Sequence, residues 1–100
     1  MGTLARTESS SRFIAKFDID GVIYEFTADM VPSIQKFESS AAVLTYRDER
    51  QLVGTQVFEG QIGIEAASII FENGATITAT LSPVVDPAST ICGAGHWTEG

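Results

Sequence analysis

The chain of 100 residues has little cysteine, little positive charge and no long hydrophobic run. A single cysteine, Cys92, excludes an internal disulfide and favours a reducing compartment. The apolar run at residues 66–71 is far too short to span a membrane, and residues 1–6 lack the apolar stretch of a secretory signal. We therefore expect a soluble, cytoplasmic protein.

The scarcity of basic residues limits the classes of partner that the protein is expected to bind. Six Lys and Arg stand against 13 Asp and Glu, for a net charge of −7. An acidic surface repels phosphate backbones and anionic lipid. Nucleic acid and membranes are therefore not expected partners. The 44% apolar composition is that of a globular protein, and the length predicts one domain.

Two-residue alternation of apolar and polar side chains predicts a hairpin around Asp20-Gly21, a dipeptide typical of two-residue turns. In the predicted register Lys16 lies opposite Glu25 on the solvent face. The apolar pairs on the other face are Ile19 with Val22, Phe17 with Tyr24, Ala15 with Phe26 and Phe13 with Ala28.

A second hairpin is predicted around Asn73-Gly74. A two-residue turn there would place Ile69 and Phe71 opposite threonines, on the polar face. A three-residue turn ending in a left-handed Gly74 pairs Phe71 with Ala75 and Ile69 with Ile77 instead. This second register is preferred, and it leaves Ile70 outward.

Other segments complete the prediction. Residues 1–11 are expected to form a flexible tail, and residues 12–100 a single β-rich domain. The segment from Asp29 to Ser40 breaks the alternation and is interpreted as one short helix. Strands are predicted at residues 41–47, 53–65 and 89–97, with bends at Gly60 and Gly63. The fold class is mainly β, an antiparallel, curled sheet of six or seven strands, barrel-like or a sandwich.

The motif at residues 17–23, Phe-Asp-Ile-Asp-Gly-Val-Ile, resembles the first motif of haloacid-dehalogenase-type phosphatases. The resemblance implies that Asp18 is a phosphorylated nucleophile, that Asp20 is a general acid/base and that a magnesium ion bridges carboxylate and phosphate. It covers about seven residues, and the rest of the chain departs from the family. Lys16 interrupts the strand, whereas a buried parallel strand is apolar on both faces. No later acidic pair supplies metal ligands.

An Asp-Gly hairpin turn accounts for the same residues without catalysis. We therefore predict neither a cofactor nor a metal site. An enzyme that uses Asp18 and Asp20 is the least favoured of three hypotheses.

Five residues are candidates for binding a small molecule. His96 adjoins Trp97, and such a pair lines pockets or stacks on ligands. Tyr24, Tyr46 and Phe26 fall on inward positions of a sheet able to close around a cavity. The second hypothesis is therefore a barrel that binds a small apolar ligand. The alternative is that these rings only fill the core while His96 faces water.

The first hypothesis is a non-catalytic interaction module. Four apolar residues are predicted to face outward, namely Ile14, Ile23, Val43 and Ile70. A contiguous patch of such residues would mark a contact surface. Because no catalytic set is evident, we expect a homodimer or larger homo-oligomer that forms through them.

Overall fold

The computed structural model describes residues 2–8, 11–31 and 33–99, apart from the side chains at 49, 82 and 83. Its strands are Gly2–Arg6 (β1), Arg12–Ile19 (β2), Val22–Val31 (β3), Glu38–Thr45 (β4), Gly54–Phe71 (β5) and Thr76–Glu99 (β6). All pairings among these described strands are antiparallel. The mainly β, antiparallel fold class is therefore confirmed.

The sheet closes on itself through its last strand. The strand order is β3-β2-β1-β4-β6-β5, and β6 also pairs with β3. The first part of β6 lies beside β4 and the last part lies beside β3, while β5 follows β6 along the other edge. With β6 counted as two segments, the described chain is a closed barrel of seven strands. Closure removes most of the free strand edges that an open sheet exposes.

The first hairpin forms as predicted. Asp20 and Gly21 have φ angles of 53° and 83°, as a two-residue turn with two left-handed residues requires. The Lys16 Nζ atom lies 3.8 Å from Glu25 Oε2 on the outer face. The inward pairs are Ile19 with Val22, Phe17 with Tyr24, Ala15 with Phe26 and Phe13 with Ala28.

The second hairpin also takes the preferred register. The Phe71 amide donates to the Ala75 carbonyl at 2.9 Å, and the Gly74 amide donates to the Phe71 carbonyl at 2.9 Å. Gly74 has a φ of 97°, a conformation that costs glycine little. Ile69 lies opposite Ile77. The three-residue turn therefore keeps the apolar faces of β5 and β6 on the same side.

β5 bends sharply near its middle. Its register against β6 shifts on the C-terminal side of Ile62, and Gly63 there has a φ of 112°. A Cβ atom on Gly60 would collide with the backbone oxygen of Ser68. The two halves of β5 thus touch at a position that has room only for glycine. Both glycines were predicted to mark a bend or bulge. The register shift lies at Gly63, whereas Gly60 keeps regular pairing with Ile91 and marks a close approach of two backbones.

The predicted helix between Asp29 and Ser40 is wrong. β3 continues to Val31, residues 33–37 have no regular structure, and β4 begins at Glu38. Pro32, part of that prediction, lies outside the described residues. The described chain has one helical turn, a 3-10 turn at Glu49–Gln51. No helix in the described residues is long and apolar enough to cross a membrane.

Residues 33–37 are not helical, and two of their carbonyl groups accept hydrogen bonds from Arg6 of β1 instead. The Arg6 guanidinium donates to the Ile34 carbonyl at 2.9 Å, and the Arg6 amide donates to the Phe37 carbonyl at 3.0 Å. Ile34 and Phe37 are buried, whereas Val31 is 65% exposed. Val31, Ile34 and Phe37, which lie three residues apart and suggested a helix, therefore belong to an irregular segment with two core contacts and not to a helix face.

The predicted flexible tail at residues 1–11 also requires correction. β1 lies between β2 and β4, with Leu4 opposite Ala15 on one side and Ser39 on the other. Leu4 is fully buried. The part of the predicted tail that is polar, as expected, is the segment after β1, residues 7–11. Five residues with one large apolar side chain suffice for a strand here, because both neighbouring strands already present their edges.

The 3-10 turn provides a titration test. Side-chain and then backbone hydrogen bonds from Arg50 lower the pKa of Asp48 from 3.8 to about 2. A lowered pKa favours the turn above pH 3.8, and this contribution is lost as the pH falls toward 2. In a carboxyl-detected NMR titration we expect an Asp48 midpoint of about 2, moving toward 3.8 in Arg50→Gln. An equal midpoint in both proteins would contradict the pairing.

Candidate functional site

Phe26 and Trp97, two of the aromatic residues predicted to bind a ligand, pack against each other and against other phenylalanine rings. The Phe26 ring centroid lies 4.8 Å from that of Phe71 and 5.0 Å from that of Trp97. Phe13 and Phe58 complete the cluster, at 6.1 and 6.0 Å from Phe26. These separations are typical of edge-to-face and tilted ring contacts. The rings therefore occupy the centre of the barrel themselves.

The five predicted ligand residues do not surround a single pocket. Tyr24 and Trp97 are buried, and Tyr46 is half-buried against the core. His96 faces outward, because side chains alternate along β6, and it is exposed. It lines a small pocket of about 150 Å³ together with Arg12 and other residues. The adjacency of His96 and Trp97 in sequence thus places them on opposite faces of β6.

Two buried side-chain nitrogen atoms have no hydrogen-bond partner in the described chain, Arg6 Nε and Trp97 Nε1. The indole Nε1 of Trp97 is inaccessible to solvent and makes no hydrogen bond. An unpaired buried donor costs free energy. Burial of the large ring, which contacts Phe26 and Phe71, offsets that cost.

The Asp18–Asp20 segment is a turn. Asp18 Oδ1 accepts a hydrogen bond from the Gly21 amide at 3.1 Å, which fixes the two-residue turn. Both aspartates are exposed, and β2 and β3 are antiparallel. No group of three His, Cys, Asp or Glu in the described chain is placed to hold a metal ion. The Asp18 carboxylate therefore has a structural role in the turn, and Asp20 supplies one of the turn's two left-handed residues.

The four predicted interface residues lie on different strands and form no single patch. Ile14 is half-buried on β2. Ile23, on β3, is 41% exposed beside the first turn. Val43 on β4 and Ile70 on β5 are 54% and 48% exposed. Val43 lies opposite Thr78 of β6, and Ile70 lies opposite Thr76. Only Val43 and Ile70 therefore share one outer face.

That shared face carries no charged side chain. It spans three adjacent strands in the order β4, β6 and β5, and its residues alternate with buried ones. We call it the threonine face, consisting of Ala41, Val43, Thr45, Thr76, Thr78, Thr80, Ala66, Ser68 and Ile70. A groove of about 520 Å³ crosses part of it. The chain as a whole has a net charge of −7, so this uncharged face differs in charge from the rest of the surface.

A second surface feature adjoins this face. We call it the β5 groove, an open groove of about 690 Å³ lined by Val31, Glu59, Gly60, Gln61, Ser68, Ile70, Thr90, Ile91 and Cys92. A neighbouring groove of about 460 Å³ shares Glu59, Ile70 and Cys92 and adds Glu72. Val31, Cys92 and Glu59 lie side by side across β3, β6 and β5. The β5 groove thus crosses the outside of three paired strands.

The charges are distributed unevenly along the chain. All six Lys and Arg precede residue 51, whereas residues 51–100 contain Glu59, Glu65, Glu72, Asp86 and Glu99. The ion pairs between described residues all lie in the first half, for example Arg12 Nε to Asp29 Oδ1 at 3.0 Å. Within the described chain, Glu59, the one carboxylate that lines the β5 groove, makes no ion pair.

Sequence reasoning missed both surfaces as units. Threonines of the second hairpin were predicted to lie on its polar face, but the neighbours of Thr76, Thr78 and Thr80 depend on strand order. The absence of Lys and Arg after residue 50 could have indicated from the sequence that the acidic residues around the β5 groove lack basic neighbours from the same half of the chain. The groove itself depends on the bend of β5, whose size the sequence does not specify.

Comparison of the chain with protein-family models, with curated proteins and with solved structures gives no match.

Proposed function

We propose that the protein is a non-catalytic interaction module that self-associates through the threonine face. The observation that carries the proposal is the absence of charge from nine outward side chains on three adjacent strands. Charged residues are depleted from the centres of protein interfaces, because desolvating them is costly. Two of the nine, Val43 and Ile70, are large and about half exposed.

A second copy of the chain is the partner that this face suits. Each copy has a net charge of −7, so two copies repel each other wherever acidic surfaces meet. The threonine face avoids that repulsion. A two-fold contact would also place the face against itself, and threonine hydroxyls both donate and accept hydrogen bonds. The aromatic rings that occupy the barrel centre give the ligand-binding alternative less support.

A charge placed at the centre of the face tests the proposal. Thr78 is exposed on β6, with Val43 and Ser68 on its two sides. In Thr78→Lys, a buried ammonium without a partner would weaken self-association by about 100-fold or more. Light scattering after gel filtration is expected to show a dimer for the unmodified protein and a monomer for the variant.

Thr98→Lys is the matched control. Thr98 is also an exposed threonine of β6 but lies outside the threonine face, beside Glu25 of β3. The two substitutions change the net charge equally. We expect Thr98→Lys to remain a dimer, with the same oligomer mass by light scattering as the unmodified protein. Equal masses for the two variants would contradict the assignment of the interface to the threonine face.

A further inference from the structure

The threonine face is a grid of three rows on three strands, and its two end rows differ in size. Each row holds one residue each of β4, β6 and β5. Ile70, at the end of the first row, is 48% exposed, whereas Thr80 in the last row has an alanine on each side. One end of the face is therefore bulky and the other is recessed. The rows are Thr45, Thr76 and Ile70, then Val43, Thr78 and Ser68, and last Ala41, Thr80 and Ala66.

The groove of about 520 Å³ lies at the recessed end. Ala41, Thr80 and Ala66 all line it, together with the middle row and Gly63. No residue in the row of Ile70 lines it. The recess and the bulky row thus lie on opposite sides of the middle row, each one row away from it.

We propose that the row of Ile70 in each copy fills the groove of the other copy. This contact requires the proposed self-association through the threonine face and specifies how the two faces meet. A symmetric contact between two copies has a two-fold axis. Placed through Thr78 and across the strands, the axis sets the two β6 strands antiparallel and lays the first row of one copy over the last row of the other. Ile70 then faces Ala66, Thr45 faces Ala41, and Thr76 faces Thr80.

An axis along the strands would pair the rows differently. Each row would then face the same row of the other copy, with Ile70 over Thr45 and Ala41 over Ala66. The two grooves would meet and leave an empty space, while the bulky rows would hold the faces apart at the other end. Because the centres of interfaces are packed as densely as protein interiors, the axis across the strands is favoured.

A second copy suits the groove because the recess and the bulky row lie equally far from the centre of one face. In a two-fold contact residue i meets residue j and j meets i, so each copy supplies one Ile70 and one groove. The grid has no charged side chain, so neither copy desolvates a charge there.

Exchanging the large and the small residue tests this arrangement. In Ile70→Ala two alanines would meet at each end of the interface, and the lost apolar burial should weaken self-association about tenfold or more. In Ala66→Ile two isoleucines would compete for one space, with a loss of similar size. The double variant places one isoleucine against one alanine again and is expected to self-associate within about fivefold of the unmodified protein. Sedimentation equilibrium measures the dissociation constants.

Val57→Ala is the control for these variants. Val57 is also a β-branched residue of β5, 52% exposed, but it lies outside the threonine face and does not line the groove. Its truncation should leave the dissociation constant unchanged. A double variant that self-associates no more tightly than either single variant would overturn the proposal, as would an Ala66→Ile variant that self-associates as tightly as the unmodified protein.

Cross-linking identifies the direction of the axis. Ile70→Cys and Ala66→Cys are prepared separately, each with Cys92→Ser, and mixed with a bismaleimide that spans about 10 Å, the spacing of packed sheets. Efficient cross-linking is expected between these two variants, and little is expected between Ile70→Cys and Thr45→Cys. The reverse result would show that the axis runs along the strands, and it would overturn the proposal.

The results also distinguish this arrangement from self-association itself. A monomeric unmodified protein would contradict both proposals. A dimer that Thr78→Lys dissociates, but in which Ala66→Ile does not restore the affinity of Ile70→Ala, would contradict only the arrangement.

Discussion

Replacing Phe26 with alanine is expected to destabilise the protein by about 3–5 kcal/mol. The Phe26 side chain is fully buried, and its ring contacts four others, Phe13, Phe58, Phe71 and Trp97. Truncation removes these contacts and leaves a cavity that rings anchored on several different strands cannot readily fill. Urea unfolding followed by circular dichroism measures the loss.

Two further variants make this result specific. Phe26→Leu keeps much of the volume and should lose clearly less stability than the alanine variant. Thr98→Ala changes an exposed side chain and is expected to stay within about 0.5 kcal/mol of the unmodified protein. A loss for Phe26→Ala no larger than that for Thr98→Ala would contradict a barrel centred on the aromatic cluster.

Gly60→Ala is the second substitution with a large expected effect, a loss of about 1–3 kcal/mol. An added Cβ atom would collide with the backbone oxygen of Ser68, and the Ile69 Cα atom lies 3.0 Å away. Both obstacles are backbone, so no side-chain movement relieves them. The direction of the stability change is informative. At an unstrained position Gly→Ala stabilises a protein by about 0.4–1 kcal/mol, because it reduces the conformational entropy of the unfolded chain.

Gln61→Ala is the control for this substitution. Gln61 is the next residue of β5 and is exposed, so its truncation should change stability by no more than about 0.5 kcal/mol. Chemical denaturation of both variants provides the comparison. Higher stability of Gly60→Ala than of the unmodified protein would show that the two halves of β5 do not touch at this position.

The two hairpins were predictable because local signals agreed. Asp20-Gly21 matches a turn with two left-handed residues, and the alternation on both sides specifies one register. At Asn73-Gly74 the turn dipeptide alone indicates the wrong register. The need to keep Ile69 and Ile77 on one face corrected it, because a one-residue slip moves every side chain to the other face.

The segments that were predicted incorrectly lack such agreement. Between Asp29 and Ser40, apolar residues spaced about three apart indicated a helix. The same spacing over so few residues also fits a chain that crosses the end of the barrel. Ile34 and Phe37 follow that path, with hydrogen bonds from Arg6. β1 was missed for a similar reason. Its burial depends on the edges of β2 and β4, which are distant in sequence.

The candidate surfaces were predictable only in part. The sequence indicated that Val43 and Ile70 face outward, and both do. It did not indicate that β6 lies between them or that the intervening positions are threonines. Ile14 and Ile23 belong elsewhere, because β2 and β3 occupy other positions around the barrel. Strand order, which is a property of the whole chain, decides which outward residues become neighbours.

Our proposal that two copies of this chain associate through the threonine face can be tested by native mass spectrometry of the unmodified protein at micromolar concentration. We expect a dimer of the 10.7 kDa chain with no retained small molecule, and we expect Thr78→Lys to be a monomer. A monomer in the unmodified protein, with or without additional bound mass, would contradict it.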